Sequence, residues 1–108
     1  MKICMLVLSL LVAGTAAQAH STAVATVHIK DFAFEPASLT VNVGDTVAFV
    51  NDDDDAHTVT SANGRFDSKG LDTHSRWEYT FGRVGTFTYF CALHPYMKGA
   101  VIVRATTR

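Results

Sequence analysis

The sequence predicts one all-β domain, an antiparallel sandwich or barrel of about seven short strands. Polar and apolar residues alternate with period two in short runs, turn-forming residues separate the runs, and no long segment has a helical period. A chain of 108 residues, 48% of them apolar, has room for a single domain. Its formal net charge of −1 provides no basic surface, which argues against nucleic acid as a partner.

The first 19 residues have the pattern of a secretory signal peptide. Lys2 precedes an apolar run over residues 3–13, and residues 17–19 form an Ala-x-Ala cleavage site. The run is shorter than the roughly 20 apolar residues that a transmembrane helix needs. We therefore expect export to the periplasm, no membrane span, and a mature domain formed by residues 20–108.

The remaining chain divides into alternating runs separated by turns. Glycine and asparagine at the breaks, such as Gly44 and Asn63-Gly64, tolerate the positive φ that tight turns require. Between the fourth and fifth runs we expect a connecting loop at residues 61–76, anchored to the core by Phe66 and Leu71. The runs predict strands at residues 25–30, 39–43, 47–49, 58–60, 77–81, 86–89 and 100–103.

Residues with potential metal-binding side chains are concentrated after the sixth run, where Cys91, His94 and Met97 follow one another at intervals of three. A lone cysteine in an exported domain cannot form an internal disulfide. A thiolate, an imidazole and a thioether are soft ligands that favour copper, and a second histidine would complete a His2Cys site with a weak axial methionine. His57, which follows a polar loop, is the best second histidine. Taken singly, Cys91 and Met97 could also be core residues.

Other polar residues allow weaker interpretations. His28 is on the polar side of its strand and is expected to face solvent. His20 would become the mature N-terminus, where an amine and an imidazole together can bind copper. The acidic run of residues 52–55 is more simply a solvated loop, although it could steer a cationic partner.

These motifs resemble the type I blue copper proteins, the cupredoxins, and most closely their amicyanin-like and small plastocyanin-like branch. The resemblance covers residues 23–104. Residues 29–36 and 39–51 are similar to the family's opening strands, and residues 85–91 to the strand that delivers the cysteine. The spacing Cys-x2-His-x2-Met at residues 91–97 is that of the short amicyanin ligand loop.

The resemblance implies a Greek-key sandwich of about eight strands with one copper ion held by His57, Cys91, His94 and Met97. It implies a monomeric electron carrier, not an enzyme, that meets redox partners such as a dehydrogenase, a cytochrome or a reductase. Four filled positions would leave no site for a substrate on the metal.

The family also supplies expectations for residues around the ligands. Asn51 precedes the first histidine ligand at the family's spacing. Family members often have proline before that histidine and asparagine after it, where this chain has Ala56 and Thr58. We expect the Thr58 hydroxyl to replace part of the asparagine's role in joining the loops. An apolar collar for docking is expected at Leu93, Pro95 and Tyr96.

Three other functions are considered for the histidines and the cysteine of this chain. A periplasmic copper carrier or chaperone would employ the same ligands for delivery. A copper oxygenase would act at His20 and would not need Cys91. A Cys-His hydrolase would need a free thiol beside a substrate cleft, which nothing in the sequence suggests.

Overall fold

The computed structural model describes residues 23–106, which form two four-stranded sheets. The all-β prediction is confirmed, and no helix within this range is long and apolar enough to cross a membrane. The strands are β1 (Val24–Lys30), β2 (Ala33–Glu35), β3 (Ser38–Asn42), β4 (Thr46–Asn51), β5 (Thr60–Ser61), β6 (Arg76–Thr80), β7 (Gly85–Phe90) and β8 (Lys98–Arg104).

The first sheet has the strand order β2-β1-β4-β6, and the second has the order β3-β8-β7-β5. The pairs β1–β4 and β3–β8 are parallel, while the other pairs are antiparallel. The expectation of an antiparallel sandwich is therefore wrong for two pairings. Alternation of polar and apolar residues shows which face of a strand is buried, but it does not show the direction of the neighbouring strand.

The core lies between the sheets and is filled by the inward residues of each strand. Val27 and Ile29 of β1 and Val47 and Phe49 of β4 are fully buried, as their alternation predicts. The connecting loop between β5 and β6 contributes Phe66 and Leu71, which are also buried. Their predicted role as anchors of that loop is confirmed.

The strand predicted at residues 58–60 is largely absent. β5 begins only at Thr60, and His57 forms an isolated bridge with Leu71. Val59 bonds instead with Ser68, whose Oγ accepts from the Val59 amide at 2.7 Å and whose amide donates to the Val59 carbonyl at 2.9 Å. Because this partner is an irregular segment, the backbone bonds are satisfied without a continuous ladder.

Three connections meet at one end of the sandwich. The β1–β2 turn, the segment after β4 and the β7–β8 loop bring together Phe32, His57 and His94, whose rings contact one another. The strands thus place the predicted ligand residues His57 and Cys91 together although they are 34 positions apart in sequence.

Candidate metal centre

The β7–β8 loop is closed by its own backbone. The amide of Cys91 donates to the carbonyl of Met97 at 3.1 Å, and that of Met97 donates to the carbonyl of His94 at 2.9 Å. The amide of His94 in turn donates to the carbonyl of Cys91 at 3.2 Å. Cys91 and Met97 are buried while His94 is half-buried. The loop therefore turns three potential ligand residues towards the inside of the fold, with the histidine nearest to solvent.

His57 is fixed from the opposite side of the site and is completely buried. Its amide and carbonyl both bond with Leu71, at 3.1 and 2.7 Å. The Asn51 side chain donates to the carbonyls of Asp55 and Leu71, both at 2.9 Å, and accepts from the amide of Asp53 at 3.0 Å. Asn51 therefore ties the end of β4 to the segment that carries His57.

The donor atoms converge. Nδ1 of His57 and Nδ1 of His94 each lie 3.7 Å from Sγ of Cys91. The three residues form a group whose ligand atoms are all within 4.8 Å of one another. Met97 is buried in the same loop, three residues beyond His94.

This donor set fits a copper ion. A metal bonded to sulfur at about 2.3 Å and to nitrogen at about 2.0 Å separates the two donors by about 3.7 Å in a trigonal arrangement. One thiolate, two imidazoles and a neighbouring thioether match the ligands of blue-copper sites, in which soft sulfur selects copper. The residues present could therefore hold copper at this end of the sandwich.

Thr58 joins the two halves of the site. Its amide donates to Sγ of Cys91 at 3.3 Å, and its hydroxyl accepts from the amide of Ala92 at 2.7 Å. The hydroxyl thus links the loops as expected, but the bond to sulfur comes from the backbone. A donor aimed at sulfur stabilises the thiolate that a metal requires.

Asp53 has a role in the site that sequence analysis missed. Its Oδ2 lies 2.8 Å from Nε2 of His57, so the remote nitrogen is occupied and Nδ1 is left to face Cys91. Asp53 is only 9% exposed, so the interpretation of the acidic run as a solvated loop is wrong for this residue. Asp54 and Asp55 are exposed and fit that interpretation.

The charge of Asp53 is well compensated. Burial by itself would raise the pKa of its carboxyl group, but bonds from the amides of Phe32 and Asp31, together with His57, outweigh it. The net effect is a pKa below the ordinary value. A carboxylate in this position favours the Nε2–H tautomer of His57. The position of Asp53, four residues before His57, is a weak signal because it lies within a run of four identical residues.

Phe32 is the second residue that the sequence did not reveal. Its ring lies edge-on to both imidazoles, with centroid distances of 5.2 Å to His57 and 5.0 Å to His94. No motif marks such a contact, since it depends on where the β1–β2 turn meets the site.

The remaining predicted residues fall in different places. Leu93 and Tyr96 are 57% and 69% exposed, and Pro95 between them is also exposed, next to His94. His28 is exposed as expected, and its Nδ1 lies 2.7 Å from Oδ2 of Asp52. His20 and the signal peptide predicted at residues 1–19 lie outside the described residues.

Known proteins with similar sequences agree with this geometry. Residues 2–103 fit a family model described as a cupredoxin-like domain. Amicyanin from Paracoccus denitrificans is 34% identical over 82 residues, covering 71% of this chain and 63% of the relative, which is less than two thirds of its length.

Solved structures give the same result. A purple cupredoxin from Nitrosopumilus maritimus has a TM-score of 0.68 at 32% identity, covering 74% of this chain and 99% of that one. A copper-containing nitrite reductase from Thermus scotoductus has a TM-score of 0.74 at 30% identity, covering 85% of this chain but 25% of that one.

The two-sheet sandwich, with a thiol and two imidazoles converging at one end, places this chain in the class of copper-binding β domains. The chain belongs to the cupredoxin family, and it is amicyanin-like within that family.

Proposed function

We propose that this protein is a periplasmic electron carrier that passes single electrons between redox partners through copper bound by His57, Cys91, His94 and Met97. The observation that carries the proposal is the convergence of Cys91 Sγ with two imidazole nitrogens at 3.7 Å. When bound, copper supplies a one-electron couple between Cu(I) and Cu(II). The signal-peptide pattern of residues 1–19 supports the periplasmic location.

The protein's contribution is a site that changes little between oxidation states. His57 is held by backbone bonds to Leu71 and by Asp53, while Cys91 follows β7 directly and receives a bond from Thr58. Donors held in this way resist rearrangement when the charge of the site changes.

The exposed collar of Leu93, Pro95 and Tyr96 supports transient docking at the edge of His94. We propose that partners contact this collar, so that the electron passes through the half-buried imidazole. Apolar residues around an exposed ligand favour a short-lived encounter because they can be desolvated at little cost.

Delivery of copper is the less favoured function. A carrier must release its ion to a partner, yet His57, Cys91 and Met97 are 0%, 0% and 2% exposed. His94 is half-buried and is the most accessible of these four residues to an incoming ligand. Catalysis at the metal is also disfavoured, since four protein donors leave no open position for a substrate.

Copper loading tests the proposal. The loaded protein should show an intense thiolate-to-copper absorption band and a reversible midpoint potential with fast self-exchange. Cys91→Ser should abolish the band, and Met97→Gln should retain copper and lower the potential. His28→Gln, a change at an exposed histidine, is the matched control and should alter neither property.

An intense thiolate band that persists in Cys91→Ser would refute the ligand assignment. A bound ion without a reversible potential would favour the carrier function instead.

A further inference from the structure

The β1–β2 turn has an unusual residue at its tip. Lys30 pairs with Ala33, so only Asp31 and Phe32 connect the strands, and their φ angles are 52° and 57°. Two-residue turns between antiparallel strands require such angles and usually use Asn-Gly. Phenylalanine is rare in this left-handed region because its Cβ crowds the backbone. A strained conformation at the edge of a functional site points to a role for the side chain it presents.

The turn is fixed to the metal centre by Asp53. Oδ1 of Asp53 accepts from the amide of Asp31 at 2.6 Å, and Oδ2 accepts from the amide of Phe32 at 3.0 Å. Oδ2 also lies 2.8 Å from Nε2 of His57. One carboxylate therefore sets both the orientation of the buried histidine and the position of the turn.

The Phe32 ring makes the second connection. It stands at 89° to the plane of His57 and at 90° to that of His94, and the residue is 37% exposed. The ring thus lies between solvent and the two imidazoles. Edge-to-face contacts of this kind are favourable, and a ring in this place also excludes water.

We propose that Phe32 is a positioning residue for the metal centre, which keeps His94 from turning away and limits the access of water to both imidazoles. The inference rests on the proposed copper site. The His94 loop is held by its own backbone and by the Thr58 hydroxyl, which bonds to the amide of Ala92, so the Phe32 ring supplies a side-chain contact to the imidazole itself. A dry environment also disfavours the more highly charged oxidised site, so Phe32 raises the midpoint potential.

The backbone strain permits a test in which stability and metal retention change in opposite directions. Phe32→Gly and Phe32→Asn place residues suited to positive φ at the turn, so the copper-free protein should melt at the same temperature or higher. Both variants should release copper from the reduced, loaded protein about tenfold faster, because two aromatic contacts are lost. Their midpoint potentials should fall.

Phe32→Tyr is the matched control, since it keeps the ring and the strain. Its copper release rate, potential and melting temperature should stay close to those of the unchanged protein. Release rates are measured by trapping Cu(I) with a chromophoric chelator, and melting temperatures on the copper-free protein.

The proposal is overturned if Phe32→Gly and Phe32→Asn release copper at the original rate, or if Phe32→Tyr releases it as fast as they do. It is also overturned if both variants lower the melting temperature of the copper-free protein, since Phe32 would then be an ordinary packing residue. Failure of the proposed function is distinguishable, because the unchanged protein would then lack the thiolate-to-copper band.

Discussion

The segment of residues 51–57, which carries His57, is held by buried side chains in addition to backbone bonds, whereas the loop of residues 91–97, which carries His94, is held mainly by its own backbone, with a link to the Thr58 hydroxyl. In the first segment, Asn51 is fully buried and makes hydrogen bonds with three different backbone groups. In the second, Leu93 and Tyr96 are exposed, so their side chains are not buried among backbone groups as that of Asn51 is. The comparison shows that the buried imidazole depends on several hydrogen-bonding side chains of its own segment, while the half-buried one depends on the backbone of its loop and on contacts from outside that loop, at Thr58 and Phe32.

Replacing Asn51 should have the largest effect on stability. Asn51→Ala leaves the carbonyl of Asp55 and the amide of Asp53 without this partner, and leaves the carbonyl of Leu71 with the His57 amide alone. We expect the copper-free protein to lose about 3 kcal/mol of unfolding free energy, because unsatisfied buried groups cost about 1–3 kcal/mol each and part of the loss is relieved by relaxation.

Chemical denaturation measures this loss, and Asn42→Ala at an exposed site of β3 is the control. A loss below about 1 kcal/mol for Asn51→Ala would show that the first segment does not depend on this side chain.

A smaller effect is expected at Asp67, in the segment that packs behind His57. A hydrogen bond from the amide of Lys69 lowers the pKa of the Asp67 carboxyl group, and the Lys69 ammonium and the Thr60 hydroxyl lower it further. These effects outweigh desolvation, which acts to raise the pKa. Because the folded pKa lies below the unfolded value of about 3.9, the carboxylate stabilises the fold above that pH. The contribution is lost as the pH falls through the folded pKa.

Asp67→Asn should therefore reduce stability at pH 7 by no more than about 0.5 kcal/mol, since the group is partly exposed. The difference from the unchanged protein should vanish in acid. Denaturation curves at several pH values measure it, with Asp54→Asn as the control for losing one negative charge. A difference that stays constant down to the acid end would contradict the role of the ionised carboxyl group.

The smallest effect on stability is expected in the second loop. Leu93→Ala and Tyr96→Ala remove exposed side chains, so the unfolding free energy should change by less than about 0.5 kcal/mol. The midpoint potential should also stay the same, while electron exchange with partners slows. Denaturation and voltammetry provide the measurements. A large loss of stability would mean that these side chains support the loop and that the two segments are built alike.

The parts of the site visible in the sequence are those with a chemical identity of their own. A thiol three residues from an imidazole and six from a thioether limits the possible metals whatever the fold, so Cys91, His94 and Met97 could be proposed directly. Strand alternation likewise depends on local burial, which explains why β1, β4 and β7 fall where the pattern predicts.

The missed features depend on contacts between distant segments. Asp53 differs from its acidic neighbours only because the β1–β2 turn lies over it, and Phe32 gains its role from the position of two imidazoles. The irregular pairing of Val59 with Ser68 likewise depends on a loop whose course the sequence does not reveal. Such features follow from the tertiary arrangement and leave no local pattern.

The place of β8 in its sheet has a consequence for how the protein is made. β8, the C-terminal strand of the described chain, lies between β3 and β7 and pairs with both along their length. While a ribosome still holds these residues, the second sheet lacks one of its two inner strands and the ligand loop is anchored to the sheet only through β7. The cupredoxin fold can therefore close only after Arg104 is free. Capture of the metal is then one of the last events in the maturation of the chain, since pairings so distant in sequence form late and slowly.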